Sequence, residues 1–264
     1  MTVATFDDIG GAGARRAAKS AVRYLAMPVF LLIVLVGLYL WVTGQQLDSV
    51  EARTLTSDLI LRRTGEHIVF TAISTVLVLA LAVPLGIVAT RPGREGLAGA
   101  IVGLGNAGQA IPSLGMLALL FFLLNEISWL PGTGLVPVVV ALTAYSFLPV
   151  LRNTMIGLQR VDPAVLEAGK GMGMSNREVL RQLELPLAIP VILAGVRTAL
   201  VLNVGTGALA WVLGGGGLGE IIIRGYQLNR LPVLITGAVL TAALALLIDW
   251  MAGIAEDNLA PKGL

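Results

Sequence analysis

Long apolar stretches separated by short polar ones set the pattern of this chain. Six of them are close to the roughly 20 helical residues that cross a bilayer core: about 25–42, 68–89, 98–124, 135–151, 187–213 and 231–252. The third and fifth are longer than a crossing requires, so tilt, a kink or an interfacial start is expected there. Residues Val76 to Val83 alternate weakly, but uniform apolarity and length favour helix over strand. Pro112 removes a helical hydrogen bond in the third stretch and is expected to kink it.

Composition agrees with this pattern. Of 264 residues, 56% are hydrophobic and 13% charged, against about 45–50% and about 25% in soluble domains. The net charge of +2 is too small to imply a nucleic-acid partner. Without cysteine there is no disulfide, thiolate nucleophile or cysteine-based metal site. The one histidine, His67, stands at the edge of an apolar stretch, where an interfacial side chain is expected; a metal site needs several converging ligands. No cofactor is expected in this chain. Carboxylates lie in loops or near span ends, Asp249 beside Trp250 for example, so a membrane-embedded enzyme is poorly supported.

Charge near the span ends orients the chain. With the N-terminus inside, twelve lysines and arginines fall on the cytoplasmic side and five (Arg53, Arg62, Arg63, Arg224, Arg230) outside, while Arg197 lies within a span. Both termini are therefore expected in the cytoplasm. Trp41, Trp129, Trp211 and Trp250 all fall at span ends, as an aromatic belt requires. The first 24 residues are polar and basic, but Val42-Thr43-Gly44 is a poor cleavage site, so the first stretch reads as an uncleaved span rather than a signal peptide. The expected layout is an N-terminal tail over 1–24, a transmembrane domain over 25–255 with a cytoplasmic loop at 152–186, and a tail over 256–264.

That loop carries the most specific local signals. Asp162-Pro163 is an N-cap followed by proline at the first helical position. Val165, Ala168 or Gly169, and Met172 then share one face, and Gly171 and Gly173 should end the helix. Ser175 and Glu178 form a capping-box pattern for a second helix running towards Pro186. A short helix with a small apolar face is suited either to a groove on a partner or to the headgroup layer.

Glu167-Ala168-Gly169, three residues, Gly173, nine residues and Leu183-Glu184-Leu185-Pro186 resemble the EAA motif of ABC importer permeases, E-A-A-x3-G-x9-I-x-L-P. Gly169 replaces the second alanine, which is expected to loosen the helix, and Leu183 replaces isoleucine. The resemblance implies an all-α, type I importer permease of the bacterial inner membrane, with this loop docking on a separate ATPase that holds ATP and Mg. It also implies a second permease copy or paralogue and an extracytoplasmic binding protein as partners. Gln109-Ala-Ile-Pro-Ser-Leu114, Leu148-Pro-Val-Leu-Arg-Asn-Thr154 and Leu213-Gly-Gly-Gly-Gly-Leu-Gly219 are similar to segments of osmoprotectant permeases (glycine betaine, carnitine, choline, proline betaine). Methionine permeases have a related glycine-rich segment. An ATP-independent channel or secondary transporter is the reading from another class.

Two further groups are candidate sites. Gly214, Gly215, Gly216, Gly217 and Gly219 contain a dinucleotide fingerprint, Gly214-x-Gly216-x-x-Gly219, in letters only: they follow a membrane span, and Glu220 stands where a phosphate loop would have lysine. They are expected to form a flexible, closely packed turn of the external gate, or a plain turn. Polar groups inside a bilayer are default site candidates, which singles out Gln109, Pro112, Ser113, Asn203 and Thr206 for the translocation path, with interhelical bonding as the alternative. Asn203 and Thr206 lie one turn apart and are expected to share a cavity. Arg197 needs a partner unless it snorkels to the interface. Few aromatics (Phe70, Phe121, Phe122, Tyr145, Phe147) are available to cage a quaternary ammonium, which suits a path of low affinity.

Overall fold

Every regular element among the described residues of this computed structural model is helical. The structure describes residues 6–127 and 131–259, with backbone alone for 6–23; Trp129 and Lys262 lie outside the described residues. Two units are distinguished, 1–46 and 47–264. The first is essentially one helix, α1 (Phe6–Thr43), in which 24–43 are apolar enough to cross a membrane. The expected separate tail is thus helical from residue 6. Alanine, arginine and lysine between Ala12 and Ala21 are good helix formers, and no proline interrupts them.

The second unit begins with α2 (Ser49–Thr54) and α3 (Ser57–Ala89). α3 starts at Ser57 rather than at 68, because Arg62, Arg63, Glu66 and His67 lower the local hydropathy although they belong to the same helix. The expected third span is two helices, α4 (Glu95–Ala110) and α5 (Ser113–Asn125), bent by 103° at Ile111-Pro112. A mere kink does not describe it. Both break residues are extended, and Pro112 caps α5. α6 (Leu135–Gln159) follows, and α7 (Pro163–Gly171) and α8 (Asn176–Val179) form the loop.

α8 does not stop at Pro186. It passes through a π turn, Leu180–Glu184, directly into α9 (Leu185–Gly207), so the second loop helix and the fifth span are one rod. Proline removes one backbone donor and crowds the preceding turn, and widening that turn to π spacing accommodates it. α9 ends at Gly207, before the expected 213, and a 3₁₀ turn covers Ala210–Leu213. α10 (Leu218–Gln227), which no expectation covered, precedes α11 (Leu231–Leu259).

α6 packs most extensively, against α9 and α3. Small residues let these backbones approach. A Cβ on Gly86 would lie 2.8 Å from the Thr154 side chain, and one on Gly195 2.6 Å from Asn153. Val78, Ala82, Val150, Leu151 and Ala199 fill the space between them. Leu61, Val76, Leu104 and Phe122 face outward, as a lipid-covered surface requires. Arg197 has its partner: Nε and Nη2 reach the two oxygens of Asp249 on α11 at 2.5 and 2.6 Å. Such a two-pronged pair is how an arginine is kept in a span.

Candidate functional site

The loop end of the bundle is built from local signals outward. The Asp162 carboxylate accepts from the Ala164 N–H at 2.8 Å and starts α7. Gly173, at φ +88°, turns the chain, and Ser175 and Glu178 cap α8 reciprocally. Val165, Glu167, Ala168 and Met172 are exposed, whereas Gly169 is buried. The helix therefore offers a small apolar outer face, with Glu167 beside it, and turns Gly169 inward.

Gly169 does not loosen the helix. A Cβ at this position would lie 2.7 Å from Leu183 Cδ1 and 3.3 Å from Met174 Sδ. The two departures from the EAA pattern thus meet each other: the longer reach of leucine fills the space an alanine methyl would take. Gly169→Ala alone is expected to push α7 off the rod, at about 1–3 kcal/mol for overpacking. Adding Leu183→Ile should recover most of the lost uptake by the assembled transporter; equal loss in the single and double variants would show that the two positions are independent.

Leu183, Leu185 and Pro186 are half-buried in the rod and its start. Between them Glu184 is 7% exposed, and its carboxylate accepts from Arg91 Nη1 at 3.1 Å and Nη2 at 2.5 Å. This pair ties the loop to the end of α3 and was not foreseen. A cleft of about 420 Å³, lined by Arg91, Leu166, Lys170, Val179 and Glu184 among others, lies beneath α7.

At the opposite end of the bundle the glycine segment is pinned rather than flexible. Gly214, Gly216 and Gly217 have φ of +71°, +69° and +76°, which only glycine adopts readily. The Glu66 carboxylate accepts from Gly217 N–H at 3.0 Å, and Arg63 bridges Glu66 and Glu220, each at 2.7 Å. Gly215 packs on Val138, and a Cβ on Gly219 would overlap the Ala208 carbonyl. His67 is not interfacial; it is fully buried. Its Nδ1 accepts from Leu218 N–H at 3.2 Å, so Nε2 carries the proton and donates to the Val204 carbonyl at 3.0 Å. It joins α3, the end of α9 and the start of α10.

Between the two ends lie the polar candidates. Ser113 and Thr206 line one narrow cleft, of only about 10 Å³, with Tyr145, Leu142 and Gly207. Asn203 does not share it: fully buried, it donates from Nδ2 to Thr75 Oγ1 at 3.2 Å, an interhelical bond. Gln109 Nε2 donates to the Tyr145 carbonyl at 2.8 Å, and Pro112 forms the break itself.

Residues 82–260 match the family described as the binding-protein-dependent transport system inner membrane component. This chain belongs to that family. The matched segment contains α4 to α11 and hence the EAA-type loop, the broken helix and the glycine segment. Curated relatives of this transport component include the glycine betaine/carnitine/choline transport system permease protein OpuCB of Bacillus subtilis, 44% identical over 205 residues, 78% of this chain and 90% of that protein. The osmoprotectant import permease protein OsmY of Salmonella typhimurium is 36% identical over 232 residues, 88% of this chain and 94% of that protein. Among solved structures, the MetNI methionine ABC transporter in an inward-facing conformation has a chain that superposes with a TM-score of 0.67 at 25% identity, over 78% of this chain and 98% of that one. The fold is that of an ABC importer permease with several membrane spans.

Proposed function

We propose that this chain forms the translocation pathway of an importer for small quaternary ammonium solutes such as glycine betaine, carnitine, choline or proline betaine. The observation that carries the transport reading is the loop at 163–186. A short helix shows Val165, Ala168 and Met172 outward, while its Gly169 rests on Leu183 of the rod, which Glu184 in turn ties to Arg91 at the end of α3. A partner that grips that helix moves the bundle with it. The partner is a separate ATPase that carries ATP and Mg; this chain hydrolyses nothing. A second copy or a paralogue completes the pathway, an extracytoplasmic binding protein delivers the solute, and the lipid of the bacterial inner membrane surrounds the rest.

Within this reading both termini and the loop face the cytoplasm. The pinned glycine segment is then part of the outer gate, and Ser113 and Thr206 face the solute. Nucleotide closure of the ATPase and the loaded binding protein each favour one of two states of the pathway. The substrate class rests on the solutes named for the relatives. Methionine is the second reading, favoured by the superposition on the methionine transporter. Competition separates them: excess unlabelled carnitine or choline should suppress uptake of labelled glycine betaine through this chain. Uptake of labelled methionine, unaffected by the ammonium solutes, would overturn the substrate assignment.

A further inference from the structure

We propose that Tyr145, together with Gln109, is a positioning residue of the pathway: a reciprocal pair of hydrogen bonds fixes the break in the third span and thereby sets where Ser113 stands in the cleft. The proposal rests on the pathway reading of Ser113 and Thr206 given above.

Two prolines define the problem the lock solves. Pro149 lies inside α6. It has no N–H, so the carbonyl four residues earlier, that of Tyr145, lacks its helical donor. Pro112 likewise cannot donate, and the extended pair Ile111-Pro112 takes the Ile111 carbonyl out of any helical ladder. In a bilayer such carbonyls find no water and need a partner from the protein. Each is met from the other helix. Gln109 Nε2 donates to the Tyr145 carbonyl at 2.8 Å, and the Tyr145 hydroxyl donates to the Ile111 carbonyl. The two backbones are close enough to allow this because residue 108 is glycine; a Cβ there would lie 3.2 Å from the Ala144 carbonyl oxygen.

The geometry has a mechanical consequence. α6 continues as helix from Tyr145 to Gln159, with only the bond that Pro149 cannot donate left out of its ladder, and three residues later Asp162 caps the docking helix α7. The break, and with it Ser113 at the first position of α5, is therefore fastened to the element that leads into the docking loop. Displacement of the loop reaches Ser113 through Tyr145.

The test uses the importer assembled with its ATPase and binding protein in membrane vesicles. The chain contains no cysteine, so Ser113→Cys introduces its only thiol. Alkylation by a water-soluble maleimide is timed without nucleotide and with a non-hydrolysable ATP analogue plus loaded binding protein. With Tyr145 present, the rate should differ between the two conditions. Tyr145→Phe keeps the ring and removes only the hydroxyl. It should reduce that difference about three- to tenfold, the effect of one neutral hydrogen bond. Gln109→Leu should do the same from the other side, and the double variant should be no worse than either alone.

Tyr226→Cys, at an exposed position of α10, reports fold: its labelling and the membrane level should not change with Tyr145→Phe, whereas general unfolding would alter both. Unchanged state dependence at Ser113→Cys in Tyr145→Phe, or strictly additive effects of the two lock variants, would overturn the proposal. Failure of the pathway reading is distinct: it would appear as full uptake after a bulky maleimide has been attached at Ser113→Cys.

Discussion

Gly173→Asp is expected to reach the membrane at close to the normal level and to lose most of its uptake. Gly173 is exposed, and a Cβ added to it meets nothing within 4 Å, so the fold has room for the side chain. The cost lies in the backbone, at φ +88°. A residue with a Cβ loses about 1–2 kcal/mol in the left-handed region. The turn relaxes by rotating α7 away from the orientation that presents Val165, Ala168 and Met172. Since about 1.4 kcal/mol is a factor of ten, docking and uptake should fall about tenfold. The order of substitutions identifies the cause. Asparagine, which tolerates φ > 0, should retain most, aspartate less, and β-branched valine least. Full uptake by Gly173→Asp at normal membrane level, or valine performing as well as asparagine, would refute a hinge role.

Gly219→Ala is expected to be worse, because it removes the folded protein itself. The added methyl would occupy the position of the Ala208 carbonyl oxygen. That obstacle is backbone, so no rotamer change relieves it. One of two pinned segments must shift, α10 with its His67 contact or the end of α9. Overpacking against side chains already costs about 1–3 kcal/mol, and a backbone collision should exceed that. Yield of monodisperse protein after detergent extraction, with its thermal midpoint, reads the effect. Gly205→Ala is the control, because a Cβ there meets nothing. A wild-type midpoint for Gly219→Ala would show that α10 does not pack on α9 as described.

Local chemistry was readable along the chain; long-range chemistry was not. The loop was legible because its signals sit within a few residues of each other: Asp162 with Pro163, Ser175 with Glu178, and Gly173 for the turn. Hydropathy located the spans but clipped α3, because Arg63, Glu66 and His67 read as polar when taken alone. Their partners, Glu220, Gly217, Leu218 and Val204, lie more than 130 residues away, and no local window joins them. For the same reason His67 reads as interfacial from sequence, and the Arg91–Glu184 and Arg197–Asp249 pairs could not be matched. Pro112 announced a disturbance, but the 103° bend depends on Tyr145 and Gln109, whose side chains bond to backbone rather than to each other. The glycine segment read as flexible because glycine loosens an isolated chain; in the fold the same residues serve close approach.

The most direct test of the account is ATP-dependent accumulation of labelled glycine betaine in proteoliposomes. These contain this chain with its ATPase, and the binding protein is supplied on the outside. Accumulation should require the chain, hydrolysable ATP inside and the binding protein, and it should collapse when Gly173→Asp replaces the wild-type chain. Accumulation that persists with a non-hydrolysable ATP analogue, or when this chain is omitted, would contradict the assignment as an ATP-coupled permease.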